Sequence, residues 1–380
     1  MIENTLIFVI DSLRWDALPE RLAEKGVIFK TVAQGLFTPP SFTSLSTGQY
    51  PPEHGVFDFT DQVSESVPTI YDLLDISGGF YAPADPGENG IYSVLGVDKT
   101  TLEEQTPPFV QMERDPEPHL PFAGAESVEA YYRTRRDDWD TVRAEYEDAI
   151  VTGVEKFERR VQYLKENDLL DSTLIVVTSD HGELFGEYGC VGHSAPATPE
   201  LAYVPTVFIH PSLSAESFQV DPEREVIEHV DIVETALSSI GVSDFETSGT
   251  DVLSTPRERP WGYNHVERQR RGRHFYTANS MWWYDGGYSF VDNPRLYRAL
   301  FGLFQLARDS TRFASRRDPI ALMRTYLGSS RRFNSPLIPQ REAERALTMF
   351  TETLTEADSK ASDLNSATKE RLERLGYLDT

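Results

Sequence analysis

The chain has 380 residues, enough to bury a large core as one big domain plus a smaller one, or as two domains. With 39% hydrophobic and 11% aromatic residues it is a folded globular protein, which excludes a disordered chain. Against 61 Asp+Glu there are only 36 Lys+Arg, a net charge of −25; this argues against non-specific nucleic-acid binding, which needs cations facing phosphates, and suits a halophilic, salt-screened interior.

In chain order, Thr5-Leu-Ile-Phe-Val-Ile10 is a continuous apolar run, which predicts a strand buried on both faces, and it ends at Asp11. Leu18 to Lys25 reads as helical, and Gly26 to Val32 as a short strand. Phe37-Thr-Pro-Pro-Ser-Phe-Thr-Ser-Leu-Ser-Thr-Gly48 then places the Thr38 hydroxyl at the start of a Ser/Thr-rich helix, where orphan backbone N–H groups favour anions. Taken alone, that pattern equally suits a capped surface helix with no chemistry. Val67 to Ile76 has the spacing of an amphipathic helix stopped at Gly78-Gly79. Pro107 to Met112 reads as a strand running into the stiff loop Asp115-Pro-Glu-Pro-His-Leu-Pro-Phe122.

The clearest helix spans 139–166, with Tyr146, Ala149, Ile150, Val154, Phe157, Val161 and Leu164 recurring at three and four. Ser172 to Thr178 repeats the buried-strand pattern and ends in Ser179-Asp180-His181-Gly182-Glu183. Two buried strands that each deliver a carboxylate match the rule that open α/β sheets bind ligands outside the carboxyl ends of their strands. Ala202 to His210 is another strand, and Val226 to Ile240 another helix. The alternation predicts an α/β fold with a mixed or parallel sheet.

Beyond about residue 255 the texture changes. Arg268, Arg270, Arg271 and Arg273 precede the aromatic patch Met281-Trp-Trp-Tyr284, read as strands or a hairpin. Residues 294–332 read as helical and basic, with nine arginines against two aspartates. Two readings stand: the arginines dock on the acidic body, or Leu296, Leu300, Phe301, Leu303, Phe304 and Leu306 lie in a membrane surface with arginines on anionic headgroups. The expected organisation is a catalytic domain over 1–255, a subdomain with basic helices over 256–340, and a charged helical tail over 341–380. The single Cys190 can form no internal disulfide, no run nears the ~20 apolar residues that span a bilayer, and Met1-Ile-Glu-Asn lacks a cationic leader start; a cytoplasmic protein is expected.

Asp11, Asp180 and His181 supply hard oxygens and one imidazole, a set suited to one divalent cation such as Ca, Mg, Mn or Zn, with Thr38 as a fourth oxygen. Such a site would bind an ester oxygen, neutralise developing charge and activate Thr38 as a nucleophile.

These residues resemble the sulfatase family of the alkaline phosphatase superfamily over most of residues 5–245. The likeness rests on the first strand with Asp11, Thr38-Pro-Pro-Ser41, Thr47-Gly48-Gln-Tyr-Pro51, His54-Gly55, Pro118-His119-Leu-Pro121-Phe122, Thr178-Ser-Asp-His-Gly-Glu183, Val204-Pro205 and Val230-Asp231. It implies a central mixed, mostly parallel sheet flanked by helices, with a smaller C-terminal helical region. It also implies a substrate site at Ser41, His119 and His193, the two histidines serving as substrate contacts or general acid; Asp115 and His119, four apart, resemble with His193 the second-metal set of two-metal relatives, but the sulfatase likeness implies one metal. Sulfatases, however, carry Cys or Ser where Thr38 stands, matured to formylglycine. Their following arginine is Phe42 here, the second Asp of their first-strand pair is Ser12, and Gly192-His193-Ser194 replaces an expected lysine. A direct threonine nucleophile resembles instead the phosphodiesterase, phosphonate hydrolase and phosphotransferase branches. The resemblance therefore implies a metal-dependent hydrolase or transferase acting on a phosphate or sulfate ester of a small molecule, lipid or glycan. A true sulfatase is the alternative, and a catalytically inactive binding protein a further one. Glu183 is expected to orient His181 or cap the next helix, His54 to pack the turn after the threonine helix, and Cys190 to be a small buried loop residue rather than a soft ligand.

Overall fold

A computed structural model of the protein describes residues 1–83, 90–135, 138–193, 195–270, 273–362 and 364–374. Ser194 and Arg271 lie outside the described residues. The elements used below are β1 (Asn4–Ile10), β2 (Val27–Val32), α1 (Thr38–Thr47), β3 (Ser77–Tyr81), β4 (Phe109–Asp115), α2 (Trp139–Glu166), β5 (Thr173–Thr178), β6 (Tyr203–Ile209), β7 (Val226–Glu228) and α3 (His229–Ser239). After them come β8 (Gly262–Arg270), β9 (Arg273–Trp283), β10 (Gly286–Val291), α4 (Arg295–Ala307), α5 (Pro319–Leu327), β11 (Ser330–Asn334) and α6 (Gln340–Thr351).

The central sheet has seven strands in the order β7-β2-β6-β5-β1-β4-β3. β1 pairs parallel with β4 and β5, β3 with β4, and β7 with β2, while β6 runs antiparallel to both neighbours. The sheet is thus mixed and mostly parallel. Parallel strands must be covered on both faces, and β1 obeys: Leu6, Phe8 and Ile10 pack under α2 with Val154 and Phe157, while Ile7 and Val9 join Phe42, Leu45, Ile232 and Val233 of α1 and α3. Each such buried side chain contributes roughly 1.5–3 kcal/mol. The result is a helix–sheet–helix sandwich whose strand ends at Asp11, Asp115 and Thr178 share one edge.

A second, antiparallel sheet, β8-β9-β10-β11, carries the aromatic patch, with Met281, Trp282 and Trp283 buried. It is tied to the first by Asn264, whose amide donates to the Ala33 carbonyl at 2.7 Å, and by Gln34, which bonds the Tyr263 carbonyl at 3.1 Å.

Three expectations need correction. Residues 67–76 form turns rather than a helix: Asp72 accepts from both the backbone and the hydroxyl of Thr69, closing a local turn that competes with helix hydrogen bonding. Gly78 and Gly79 do not stop a helix but lie inside β3, where an added Cβ would meet Tyr71 Cα at 2.6 Å and Gln105 Nε2 at 2.0 Å. The expected helix at 226–240 is preceded by β7, because Val226-Ile227-Glu228 completes the sheet before α3 begins. In the basic segment, only part of the expected apolar face is outward: Phe301 is buried, and Phe304 and Leu306 pack inward with it.

Candidate active site

The site grows from the turn after β1. Ser12 adopts a left-handed backbone, φ 62°, an uncommon conformation for a side-chain-bearing residue. Its strain is held by its contacts. The Ser12 amide donates to Asp180 Oδ1 at 3.1 Å and its hydroxyl to Asp11 Oδ1 at 2.9 Å, while its carbonyl accepts from the Tyr146 hydroxyl of α2 at 2.8 Å. Next to it, the Leu13 amide donates to Ser179 Oγ, which donates to the His181 carbonyl, both at 2.8 Å. One turn thereby fixes the loops after β1 and β5 against each other.

Asp11, Asp180 and His181 are fully buried, and one ligand atom from each lies within 4.8 Å of the others. His181 Nδ1 is 2.9 Å from the Gly182 carbonyl. A carbonyl can only accept, so Nδ1 carries the proton and Nε2 keeps its lone pair. That Nε2 sits 3.3 Å from Asp180 Oδ2, 3.9 Å from Asp11 Oδ1 and 3.4 Å from Thr38 Oγ1. Thr38 is the first residue of α1, with two prolines behind it, and the helix is buried along its length.

Electrostatics mark the cluster as incomplete. Burial, then the neighbouring Asp11 charge, push the Asp180 carboxyl up to about 6. Burial also works against Asp11, but the Arg114 guanidinium, with His119 and His181, holds its carboxyl well below the usual range. Asp180 Oδ2 is buried without a hydrogen-bond partner among the described residues. Two carboxylates, an oriented imidazole lone pair and an orphaned oxygen fit a divalent cation, since buried charge persists only when paired or metal-bound.

Around this centre, His193 stacks on His181 with ring centres 4.3 Å apart, and His119 meets His193 edge-on at 5.0 Å. Burial lowers His119 to about 3 and His193 well below its ordinary value, so both are neutral near pH 7. Glu183, fully buried, stands 3.2 Å from His193 Nδ1 and accepts from the Leu184 amide; it orients His193, not His181 as expected. Ser41 lies in the first turns of α1, its hydroxyl buried and without a partner among the described residues. His54 bonds Ser44 Oγ and the Val56 amide, the packing place expected of it. Cys190 is buried among apolar neighbours, away from this cluster. The second-metal set is not assembled: among the described residues Asp115, His119 and His193 form no three-ligand group, and Asp115 instead accepts from Lys156 Nζ at 2.7 Å.

Sequence reading missed Arg114. β4 runs on past Met112, and Arg114, paired in register with Val9, donates from Nε to Asp11 Oδ2 at 2.8 Å and from Nη2 to the same oxygen. Its guanidinium lies 5.7 Å from the centre of the Phe42 ring. The ring that stands in place of the family's arginine therefore supports an arginine from the adjacent strand. Arg268 of β8 lies 4.0 Å from the centre of the Phe37 ring, and its charge, with that of Arg308, acts on His193.

Comparison with known proteins follows the same lines. A family model described as Sulfatase matches residues 88–242, and one for type I phosphodiesterase/nucleotide pyrophosphatase matches residues 5–77. The chain is 30% identical over 410 aligned positions to the low-salt glycan biosynthesis sulfotransferase Agl7 of Haloferax volcanii, covering 99% of this chain and 96% of that one. Among solved structures, the phosphonate monoester hydrolase of Agrobacterium radiobacter superposes with a TM-score of 0.58 at 15% identity, covering 84% of this chain and 96% of that one. The protein BT4656, solved with D-glucosamine-2-N,6-O-disulfate, gives a TM-score of 0.59 at 14% identity, covering 100% and 99%. At those identities the structures speak for the fold.

Proposed function

Because the chain belongs to the sulfatase family of the alkaline phosphatase superfamily, we propose that it is a metal-dependent transferase that moves a sulfuryl group from an ester to a glycan hydroxyl through Thr38. The observation that carries this reading is Thr38 Oγ1 at 3.4 Å from His181 Nε2, beside the buried Asp11–Asp180–His181 group. The choice of a sulfuryl group and a glycan acceptor follows the name of the Haloferax relative. Asp11, Asp180, His181 and Thr38 would hold one divalent cation, which lowers the proton affinity of the threonine hydroxyl and neutralises a non-bridging ester oxygen.

The chain's own residues supply the rest. Thr38 Oγ1 attacks sulfur, the ester oxygen departs as the alcohol, and the threonine proton ends on that oxygen. We assign the proton transfer to neutral His193 and His119, which meet edge-on, with Glu183 fixing the orientation of His193. The acceptor hydroxyl then attacks the threonine ester, its proton returns to Oγ1, and the enzyme is restored. Arg114 keeps Asp11 ionised and in place and adds positive charge where the family's missing arginine would lie.

The test is a rapid acid quench during turnover of 4-nitrophenyl sulfate, phosphate and phosphodiesters, followed by mass spectrometry of the Thr38 peptide. A sulfuryl adduct on Thr38, discharged by added sugar, is the expected result; turnover with Thr38 unmodified overturns the reading. A phosphoryl adduct alone would instead favour phosphoester chemistry, the second reading, which the match of residues 5–77 to the phosphodiesterase model supports.

A further inference from the structure

An amphipathic helix normally turns its apolar face inward. α4 buries one side, with Arg298, Phe301 and Gly302 against the body, yet its opposite side is apolar as well. Leu296, Leu300 and Leu303, spaced four and three apart, are 68%, 44% and 54% exposed, and Ala307 continues the row. α5 lies alongside, Met323 and Tyr326 closing on Gly302, and adds Ile320, 64% exposed. Single exposed leucines are ordinary; a helical stripe of them beside another outward isoleucine is not.

The segment that carries the stripe is cationic. Arg295, Arg316, Arg317, Arg324 and Arg332 are exposed in this segment, which carries nine arginines against two aspartates in a chain of net charge −25. Charge and apolarity together select the occupant. A twofold contact of the stripe with a second copy would bring two arginine rims face to face, and a contact with another copy's acidic body would set leucines against carboxylates. An anionic lipid surface satisfies both, taking the leucines below its headgroups and the arginines among them. The contact lies in the interface plane, because no helix among the described residues is long and apolar enough to cross a membrane.

We propose that the outward faces of α4 and α5 dock this protein on an anionic membrane surface. The docking itself does not depend on which group the enzyme transfers.

Flotation of the full chain with phosphatidylcholine vesicles, with and without phosphatidylglycerol, tests this directly. The expected result is co-flotation with the anionic vesicles, at least about tenfold weaker partition for Leu300→Glu/Leu303→Glu, and a similar loss with a flatter salt dependence for Arg316→Glu/Arg324→Glu. Sedimentation velocity of the same samples reads the alternative occupant. Wild-type protein that stays unbound at both compositions, a leucine variant that floats like wild type, or a dimer that the leucine variant dissociates would each overturn the proposal.

Discussion

Two buried charged clusters sit in the same sandwich and are built on opposite principles. At the start of α3, Glu228 and Asp231 face Arg257 and Arg259. Arg257 bonds Glu228, and its Nε lies 2.9 Å from Asp231; Arg259 lies 3.1 Å from Glu228. The Tyr263 and Thr250 amides donate to the two carboxylates at 2.8 Å, and Tyr50 donates its hydroxyl to Glu228. Charges balance there, and all four carboxylate oxygens have partners. At the ends of β1 and β5, Arg114 bonds Asp11 and Glu183 bonds His193, while Asp180 Oδ2 has no hydrogen-bond partner among the described residues. The first cluster closes the fold around itself, whereas the second keeps a negative excess that a cation would complete.

That contrast can be broken by mutation. The largest effect falls on chemistry: Thr38→Ala should lower turnover by at least about a thousandfold with an unchanged circular dichroism spectrum. Retained turnover would remove Thr38 from the reaction. In urea denaturation of metal-stripped protein, Arg257→Met should cost about 3–5 kcal/mol, because it takes the ion-pair partner from buried Asp231 and leaves Glu228 to Arg259. Asp180→Asn in the same assay should raise stability by about 1 kcal/mol, because it relieves a buried like-charge pair. Equal losses in both variants would mean that the two clusters do the same job. Arg114→Met should reduce kcat about ten- to a hundredfold and weaken divalent-ion affinity with it, a pairing that loss of a merely structural residue would not produce.

A pH dependence follows at Glu113 of β4, which neighbours Arg114 in the chain but bonds Arg160. Burial lifts the Glu113 carboxyl to about 7 against the opposing pull of Arg160, 2.7 Å away. A folded-state value above the unfolded one means stability is fullest below about 4.5 and falls as pH rises towards about 7. Wild type should therefore lose more stability than Glu113→Gln between pH 5 and pH 8. Parallel curves would show that Arg160 keeps Glu113 ionised throughout.

Much of the site was legible because its parts lie where strong local signals end. Asp11 and Asp180 each close an uninterrupted apolar strand, and Thr38 opens a helix flagged by two prolines. Arg114 was hidden by the opposite circumstance. The apolar signal ends at Met112 and the proline-rich loop is read from Asp115, yet Glu113-Arg114-Asp115 is buried strand, since its charges are met by Arg160, Asp11 and Lys156 from distant segments. Pairing across such separations leaves no local periodicity. The turn at 67–76 misled for a related reason: apolar spacing suggested a helix, while the Thr69–Asp72 bonds closed a turn and the two glycines lay in a strand. The place of Glu183 beside His193 depended on a loop return that no spacing encodes.

The central claim is that Asp11, Asp180 and His181 form a cation site beside Thr38. Metal-stripped wild type, Asp180→Asn and Cys190→Ala, each dialysed against Mn, Zn, Ca and Mg in turn, can be read by inductively coupled plasma mass spectrometry. The account predicts one tightly held ion per chain in wild type and Cys190→Ala and none in Asp180→Asn; equal loading of all three, or an empty wild type, would contradict it.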